Sequence, residues 1–183
     1  LCLGEEITQS VSVKTGDQLA VLEFEGWAVS EPLTEFLTEE FRQTVSDLKI
    51  FQVQDRGITN QIKIFKPRKK DYWYCWSKEC AIDLGRKLGV NYVIAGNIQK
   101  KGDDTFIING RLFSVDMETM LDEFAMGTSG ITDSLLLEMK KMAYNVSGLP
   151  IPDTLSVGSG MSQVATTDDI KQKRQWIKLP PIP

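Results

Sequence analysis

The sequence predicts an α/β domain, a two-layer sandwich whose five-stranded mixed sheet carries its helices mainly on one face. Two short apolar segments, Leu19–Phe24 and Lys49–Gln54, flank an amphipathic helical stretch. A second helix leads directly into the apolar segment Tyr92–Ile98. Strands joined through helices are parallel and right-handed, whereas the two short turns that follow Ile98 join antiparallel strands. The sequence therefore predicts βαβ crossovers first and an antiparallel meander after them.

The first helix begins after Ser30, a favourable N-cap residue, with Pro32 in its first turn. Its apolar residues recur at helical spacing, which predicts that one stripe of the helix lies on the sheet. The stripe consists of Leu33, Phe36, Leu37, Phe41, Val45 and Leu48. The chain between the second strand and the next helix is ambiguous, and the spacing of Ile58 and Ile62 weakly favours a helix for its first half.

The second helix is predicted over Lys78–Leu88, capped by Ser77 at its start and by a left-handed Gly89 at its end. It must fold back on the strand that it precedes, because the connection is so short. The meander then has turns at residues 100–104 and 116–119. The last helix begins at Thr132 and ends at Gly148, and its inward stripe is Leu135, Leu136, Met139, Met142, Ala143 and Val146.

The chain is predicted to have three parts: an extended lead-in over residues 1–17, the α/β domain over residues 18–148, and a proline-rich extended interaction tail over residues 149–183. Prolines and a Gly-Ser run in the tail disfavour packed secondary structure. Its apolar residues are predicted to anchor it to a partner. These anchors are Trp176, Ile177 and Leu179.

Composition argues against most catalytic functions. The 183 residues include no histidine, the usual general base at neutral pH and a common zinc ligand. We therefore expect no enzyme, no cofactor and no metal site; an enzyme that processes a small molecule would need a deep pocket with convergent Asp, Glu and Lys side chains. The formal net charge of −4 also disfavours nucleic acid as a partner.

The three cysteines leave several alternatives open. Cys75 and Cys80 could be two reduced thiols, or ligands of a metal that lacks further ligands nearby, or a disulfide that indicates an oxidising compartment. We favour the disulfide. Cys2 is either part of a secretory signal stub or a lipid-carrying cysteine.

The segment from Pro67 to Trp76 combines basic and aromatic side chains and is the best candidate for partner binding. Its candidate residues are Arg68, Lys69, Lys70, Tyr72, Trp73, Tyr74 and Trp76. Such a composition suits a protein partner, a membrane interface or single-stranded nucleic acid. Alternatively, the loop folds its own aromatic side chains onto the domain. The acidic chain and the expected export favour a protein partner over the other two.

From Gln18 to Gly148 the pattern resembles a bacterial envelope family, the CsgG-like curli-export lipoproteins and the N-terminal domain of TolB, with penicillin-binding-protein activator lipoproteins as relatives. The most specific parts are Leu-Ala-Val-Leu-Glu-Phe-Glu-Gly at 19–26 and the stretch Glu79–Gly96. The resemblance implies a noncatalytic interaction subunit of a secretion, appendage or envelope assembly, of which a ring is one form. An alternative is a monomeric regulator of a cell-wall enzyme. Either is expected in the periplasm or at the outer membrane, with other envelope proteins or copies of itself as partners.

Overall fold

The computed structural model describes residues 14–59, 76–129 and 132–156. Its strands are β1 (Gln18–Val21), β2 (Glu25–Trp27), β3 (Gln52–Val53), β4 (Tyr92–Lys101), β5 (Thr105–Ser114) and β6 (Thr119–Ser129). Its helices are α1 (Glu31–Asp47), α2 (Lys78–Leu88), α3 (Thr132–Val146) and α4 (Asp153–Ser156). Residues 56–59 are also helical, as the ambiguous segment suggested for its first half.

The strands form a six-stranded mixed sheet in the order β3-β1-β4-β5-β6, with β2 also paired to β4. β1 is parallel to both β3 and β4, because α1 and α2 each lie in a crossover between parallel strands. β4, β5 and β6 are antiparallel neighbours. The predicted α/β class, with crossovers first and a meander after them, is confirmed.

β2 is the strand that the sequence did not predict. The sequence analysis assigned no strand to residues 25–27, whereas Glu25–Trp27 pairs in parallel with β4 from Asn97 to Gln99. The last pair between β1 and β4 joins Val21 to Ile94, so the far half of β4 would otherwise keep an unpaired backbone edge. β2 occupies that edge, since buried backbone donors and acceptors must be paired.

The two faces of the sheet carry different helices. α1 and α3 pack against each other on one face, where Leu19 and Ile94 join their core. α2 lies on the opposite face, over a second core that contains Ala20 and Val93. We name these the α1/α3 face and the α2 face. Helices mainly on one face were predicted, and α2 is the exception.

Phe36 was expected in the buried stripe of α1, but its side chain is 45% exposed. The buried line runs instead through Thr34, Leu37, Thr38 and Phe41. Phe36 lies two residues from Thr34, roughly 200° around the helix, and therefore points to solvent. Thr38 is tolerated in the core because its hydroxyl donates to the carbonyl of Thr34 at 2.8 Å.

α2 begins and ends where its capping residues predicted. The hydroxyl of Ser77 accepts a hydrogen bond from the Cys80 N–H at 3.3 Å, and Gly89 has a φ of 69°. Gly85 lets the helix approach the sheet closely, because a Cβ there would lie 2.4 Å from a methyl group of Val115.

α3 ends at Val146, and Gly148, the predicted helix-ending glycine, follows two residues later with a φ of 67°. The next residue, Leu149, donates its N–H to the Tyr144 carbonyl at 3.0 Å, and α4 contacts α3. The limits of the lead-in, domain and tail stay predictions. Within the three described ranges, no helix has both the length and the apolar character needed to cross a membrane.

Candidate interaction surface

The best candidate site is the part of the α2 face that lies beyond α2, on strands β2, β4, β5 and β6. Strand register places its side chains in three cross-strand rows. The rows are Ala95–Arg111–Glu123, then Glu25–Asn97–Asn109–Ala125, then Trp27–Gln99–Ile107–Gly127. We name these residues, together with Trp76, the α2-side surface. Ala95 also belongs to the core beneath α2, and Asn97 is buried, whereas Trp27 and Ala125 are exposed.

The orientation of β2 follows from Gly26. A Cβ on Gly26 would lie 2.5 Å from the hydroxyl of Thr34 in α1, so residue 26 faces the α1/α3 face. Alternation along the strand then turns Glu25 and Trp27 to the α2 face. Trp27 is 42% exposed there.

Arg111 is the most highly connected side chain of the α2-side surface. Its guanidinium carbon lies 3.8 Å from the ring centroid of Trp76, a cation–π geometry. Its Nη1 also donates to the main-chain oxygen of Trp76 at 3.0 Å. Its Nε and Nη2 both reach Oε1 of Glu123, at 2.9 Å and 2.8 Å. The guanidinium is therefore held in one orientation, and it fixes Trp76 onto β5.

A pair of asparagines lies in the middle row. The Nδ2 of Asn109 donates to Oδ1 of Asn97 at 2.9 Å, and Asn97 is buried. Amides carry donors and acceptors at once, so this pair adds hydrogen-bonding groups to a surface that otherwise offers aromatic, small and charged side chains.

The structure places one of the predicted partner-binding residues, Trp76, on this surface. The others lie outside the described residues and stay predictions: Arg68, Lys69, Lys70, Tyr72, Trp73, Tyr74, Trp176, Ile177 and Leu179. Cys2, the possible lipidation site, also lies outside them. Cys80 packs against the second core, on the α2 face. Its predicted partner Cys75 lies outside the described residues, so the disulfide stays a prediction as well.

The sequence analysis missed Arg111, Trp27 and the asparagine pair. A signal for the asparagines was present, because Asn97 and Asn109 are polar residues within two mainly apolar segments and lie six residues either side of position 103 in the predicted turn. Such symmetry about a hairpin turn predicts that two residues face each other.

A second polar cluster lies at the carboxyl ends of β1 and β3. Oε1 of the buried Glu23 accepts from Nε of Arg56 at 2.9 Å and lies 3.7 Å from Nη2 of Arg42. Arg42 is buried too, donates to the Val21 carbonyl at 3.0 Å and pairs with Glu39. The cluster ties α1 to the sheet.

The groups of this cluster shift the pKa of Arg56. Burial acts to lower the pKa of Arg56, but the attraction and hydrogen bond of Glu23 act to raise it. Glu35 and Glu39 raise it further, and the pKa ends above its ordinary value. Because these carboxylates are engaged by arginines, the cluster is suited to holding structure together rather than to transferring protons. Across the described ranges, no group of three His, Cys, Asp or Glu side chains could hold a metal ion.

Comparison with solved structures shows that other proteins share the fold of this chain. No family model matches the sequence, and no curated protein matches it significantly. The C-terminal domain of LpoB from Salmonella enterica is similar over 66% of this chain and 88% of its own, at 15% identity and a TM-score of 0.51. The lipoprotein GNA1162 from Neisseria meningitidis is similar over 74% of this chain and 99% of its own, at 11% identity and a TM-score of 0.53.

TolB from Acinetobacter baumannii also matches, over 72% of this chain and 26% of its own, at 14% identity and a TM-score of 0.42. That score is too low to support an argument. At the level of fold, the match to a bacterial lipoprotein agrees with the resemblance described for the sequence. The curli-export comparison stays a prediction.

Proposed function

We propose that this chain is a noncatalytic protein-interaction subunit of a bacterial envelope assembly, located in the periplasm or at the outer membrane. The observation that carries the proposal is Arg111, which is held between Trp76 and Glu123 on the α2 face of the sheet. Tryptophan and arginine dominate the energetic centres of protein interfaces. An arginine that is already oriented loses less side-chain freedom when a partner arrives.

The spacing of the two tryptophans suits a protein partner. Trp76 stacks on Arg111, and Trp27 lies in the same cross-strand row as Ile107. Arg111 and Ile107 are four residues apart on β5. This places the two anchors about 13 Å apart along the strands and about 10 Å apart across them. Two anchors at this separation fit within one interface of ordinary size.

A nucleic-acid partner is disfavoured by charge at the same place. The α2-side surface carries Glu25 and Glu123, and Arg111 is already neutralised by Glu123. Phosphate binding requires uncompensated basic side chains that release counterions.

The proposed location is supported by one further observation: GNA1162, which shares the fold, is a lipoprotein by name. The predicted disulfide between Cys75 and Cys80 belongs to the same proposal, because stable disulfides are characteristic of oxidising compartments such as the periplasm. Lipidation at Cys2, membrane contact and anchoring through the tail belong to the proposal without structural support of their own.

Site-specific photo-crosslinking in cells that naturally make the protein tests the proposal. A photo-reactive phenylalanine analogue at Trp27 should give a discrete adduct with an envelope protein. The same analogue at Met117, 48% exposed in the turn between β5 and β6, is the matched control and should give none. Arg111→Ala should abolish the adduct without unfolding the domain.

Equal crosslinking from both positions, or an adduct that survives Arg111→Ala, would contradict a partner site on the α2-side surface. The copy number of this chain in the purified adduct separates an assembly subunit from a monomeric regulator of a cell-wall enzyme. Several copies support the assembly subunit, and a single copy supports the regulator.

A further inference from the structure

Strand β6 is a long edge of the sheet. It spans Thr119–Ser129, and among the described residues it pairs with β5 alone. Its outward N–H and C=O groups make no backbone hydrogen bond within the described ranges. An exposed row of such groups is a template for pairing with another strand.

The features that usually protect an edge strand are missing from the second half of β6. Thr119–Ser129 contains no lysine, arginine or proline. The register irregularity opposite Leu112 and Phe113 disturbs only the start of the strand. From Glu123 to Ser129 the pairing with β5 is continuous, so the outer edge is regular over seven residues.

We propose that this edge binds the same edge of a second copy of the chain, as an antiparallel β6–β6 pair centred on Met126. In this register Met126 lies on a two-fold axis and pairs with its own copy, and every other pair occurs twice, once on either side of the axis. The pairs are Met126 with Met126, Ala125 with Gly127, Phe124 with Thr128, and Glu123 with Ser129. The proposal does not rest on the proposed function.

Charge disfavours some registers and permits this one. β6 carries two adjacent acidic side chains, Asp122 and Glu123, and no basic one. A register centred on Asp122 or between the two would oppose acidic side chains directly, which is destabilising. The register centred on Met126 instead places Glu123 opposite Ser129, so no two acidic residues are opposed.

The side chains on both faces of β6 fit the same register. Phe124 and Met126 are half-buried on the α1/α3 face, where pairing with a second copy would cover more of their apolar surface. On the other face, Ala125 and Gly127 are exposed and small, so they leave room for a neighbouring strand. Their row belongs to the α2-side surface, and pairing would make that surface continuous across the two copies.

A charge-swap experiment on the full-length chain tests the proposal. Sedimentation velocity over a range of concentrations should show a reversible dimer. In the double variant Ala125→Lys with Gly127→Lys, each lysine of one copy faces a lysine of the other copy, which makes two like-charged pairs. Their repulsion should weaken association about tenfold. Gly127 tolerates substitution in the monomer, because a Cβ there meets no atom within 4 Å.

The matched control is Gln43→Lys with Ser46→Lys, which adds the same charge on the exposed side of α1 and should leave association unchanged. The rescue is a chain with Ala125→Glu and Gly127→Glu: alone it should be monomeric, and mixed with the lysine variant it should form a heterodimer. A wild-type chain that stays monomeric at all concentrations, or a lysine variant that dimerises as well as its control, would overturn the proposal. So would a mixture that fails to associate, which would leave the exposed edge to a strand from a different protein.

Discussion

Phe24 places its ring where a side chain on Gly96 would have to lie. A Cβ on Gly96 would come within 2.6 Å of two ring carbons of Phe24, and the ring also packs on Phe41 with centroids 5.5 Å apart. The absence of a side chain at the middle of β4 therefore allows an aromatic ring to fill the core between the sheet and α1.

Gly96→Ala should lower the free energy of unfolding by about 1–3 kcal/mol, because the ring cannot move without displacing Phe41. Urea unfolding of the two proteins measures the difference. Gly127→Ala is the matched control, since it adds a methyl group to open space on another strand and should change stability little. Equal stability of the Gly96→Ala and wild-type proteins would show that the core can be repacked at this point.

Glu23→Gln should destabilise the domain by about 1.5–3 kcal/mol, because it weakens a charged hydrogen bond and leaves Arg42 buried beside a neutral amide. Chemical denaturation compares it with Glu39→Gln. Glu39 is about half exposed, so losing its pair with Arg42 should cost less, about 0.2–1 kcal/mol. The reverse order of the two effects would mean that the buried carboxylate does not hold Arg42.

Much of the fold follows from local signals, which is why it was predictable. Ser77 and Gly89 lie where the ends of α2 require them, and the turn residues after Ile98 define the meander. β2 was missed because its pairing depends on the length of β4, which lies about seventy positions further along the chain. Gly26 resembles a loop residue in sequence, but in the structure it makes room for Thr34.

The site was less predictable than the fold. Alternation along β5 predicts that Arg111 and Leu112 point to opposite faces of the sheet. No sequence pattern predicts that Trp76 packs against Arg111. In the same way, Arg42 does not belong to the apolar stripe predicted for α1, yet it is buried. Its burial depends on Glu23, which follows a different element. Contacts between distant segments are set by tertiary packing and leave no periodic signal in the sequence.

Alkaline pH should destabilise the wild-type domain more than Tyr92→Phe. Burial raises the pKa of Tyr92 above 10.0, and the carboxylates of Asp17 and Asp116 add to the shift. Above the unfolded pKa, the folded state keeps the phenol proton that the unfolded state loses, so stability falls as pH rises. Urea unfolding from about pH 8 to about pH 11 should show this loss in the wild type, with a slope of at most about 1.4 kcal/mol per pH unit from this group.

Tyr92→Phe keeps the ring that packs edge-on against Phe51 and removes only the titrating hydroxyl. Lysines that titrate in the same range affect both proteins alike. The difference between the two proteins is therefore the informative quantity, and parallel pH profiles would contradict the prediction.

Cys75 and Cys80 should be joined in the exported protein. Thiol-specific labelling of the denatured, unreduced protein, followed by peptide mass analysis, should leave both unmodified, and prior reduction should make both reactive. The Cys2→Ser variant controls for a rival pairing, because it leaves only these two cysteines. Labelling of Cys75 in that variant would disprove the pairing.

Truncation should separate the domain from its tail. Deleting residues 157–183 should leave the melting temperature nearly unchanged and abolish assembly, since Trp176, Ile177 and Leu179 are the predicted anchors. Deleting residues 149–183 should lower the free energy of unfolding by roughly 1–2 kcal/mol more, because it also removes the half-buried Leu155 of α4. An unfolded 1–156 fragment would place the tail within the folding unit.

Because β4 lies far along the chain from β1 and β2, the order of synthesis limits when the sheet can form. β4 pairs with β1, β2 and β5, and its parallel pairings join positions as far apart as Leu19 and Tyr92. When the chain emerges from a ribosome or an export channel, the described strands of its first half can form only the two-pair ladder between β1 and β3. Closing a loop of this length costs entropy before any contact rewards it, which slows folding. The edge of β1 that pairs with β4 therefore stays unpaired until residues 92–94 have emerged, and an unpaired strand edge is prone to aggregation in this interval.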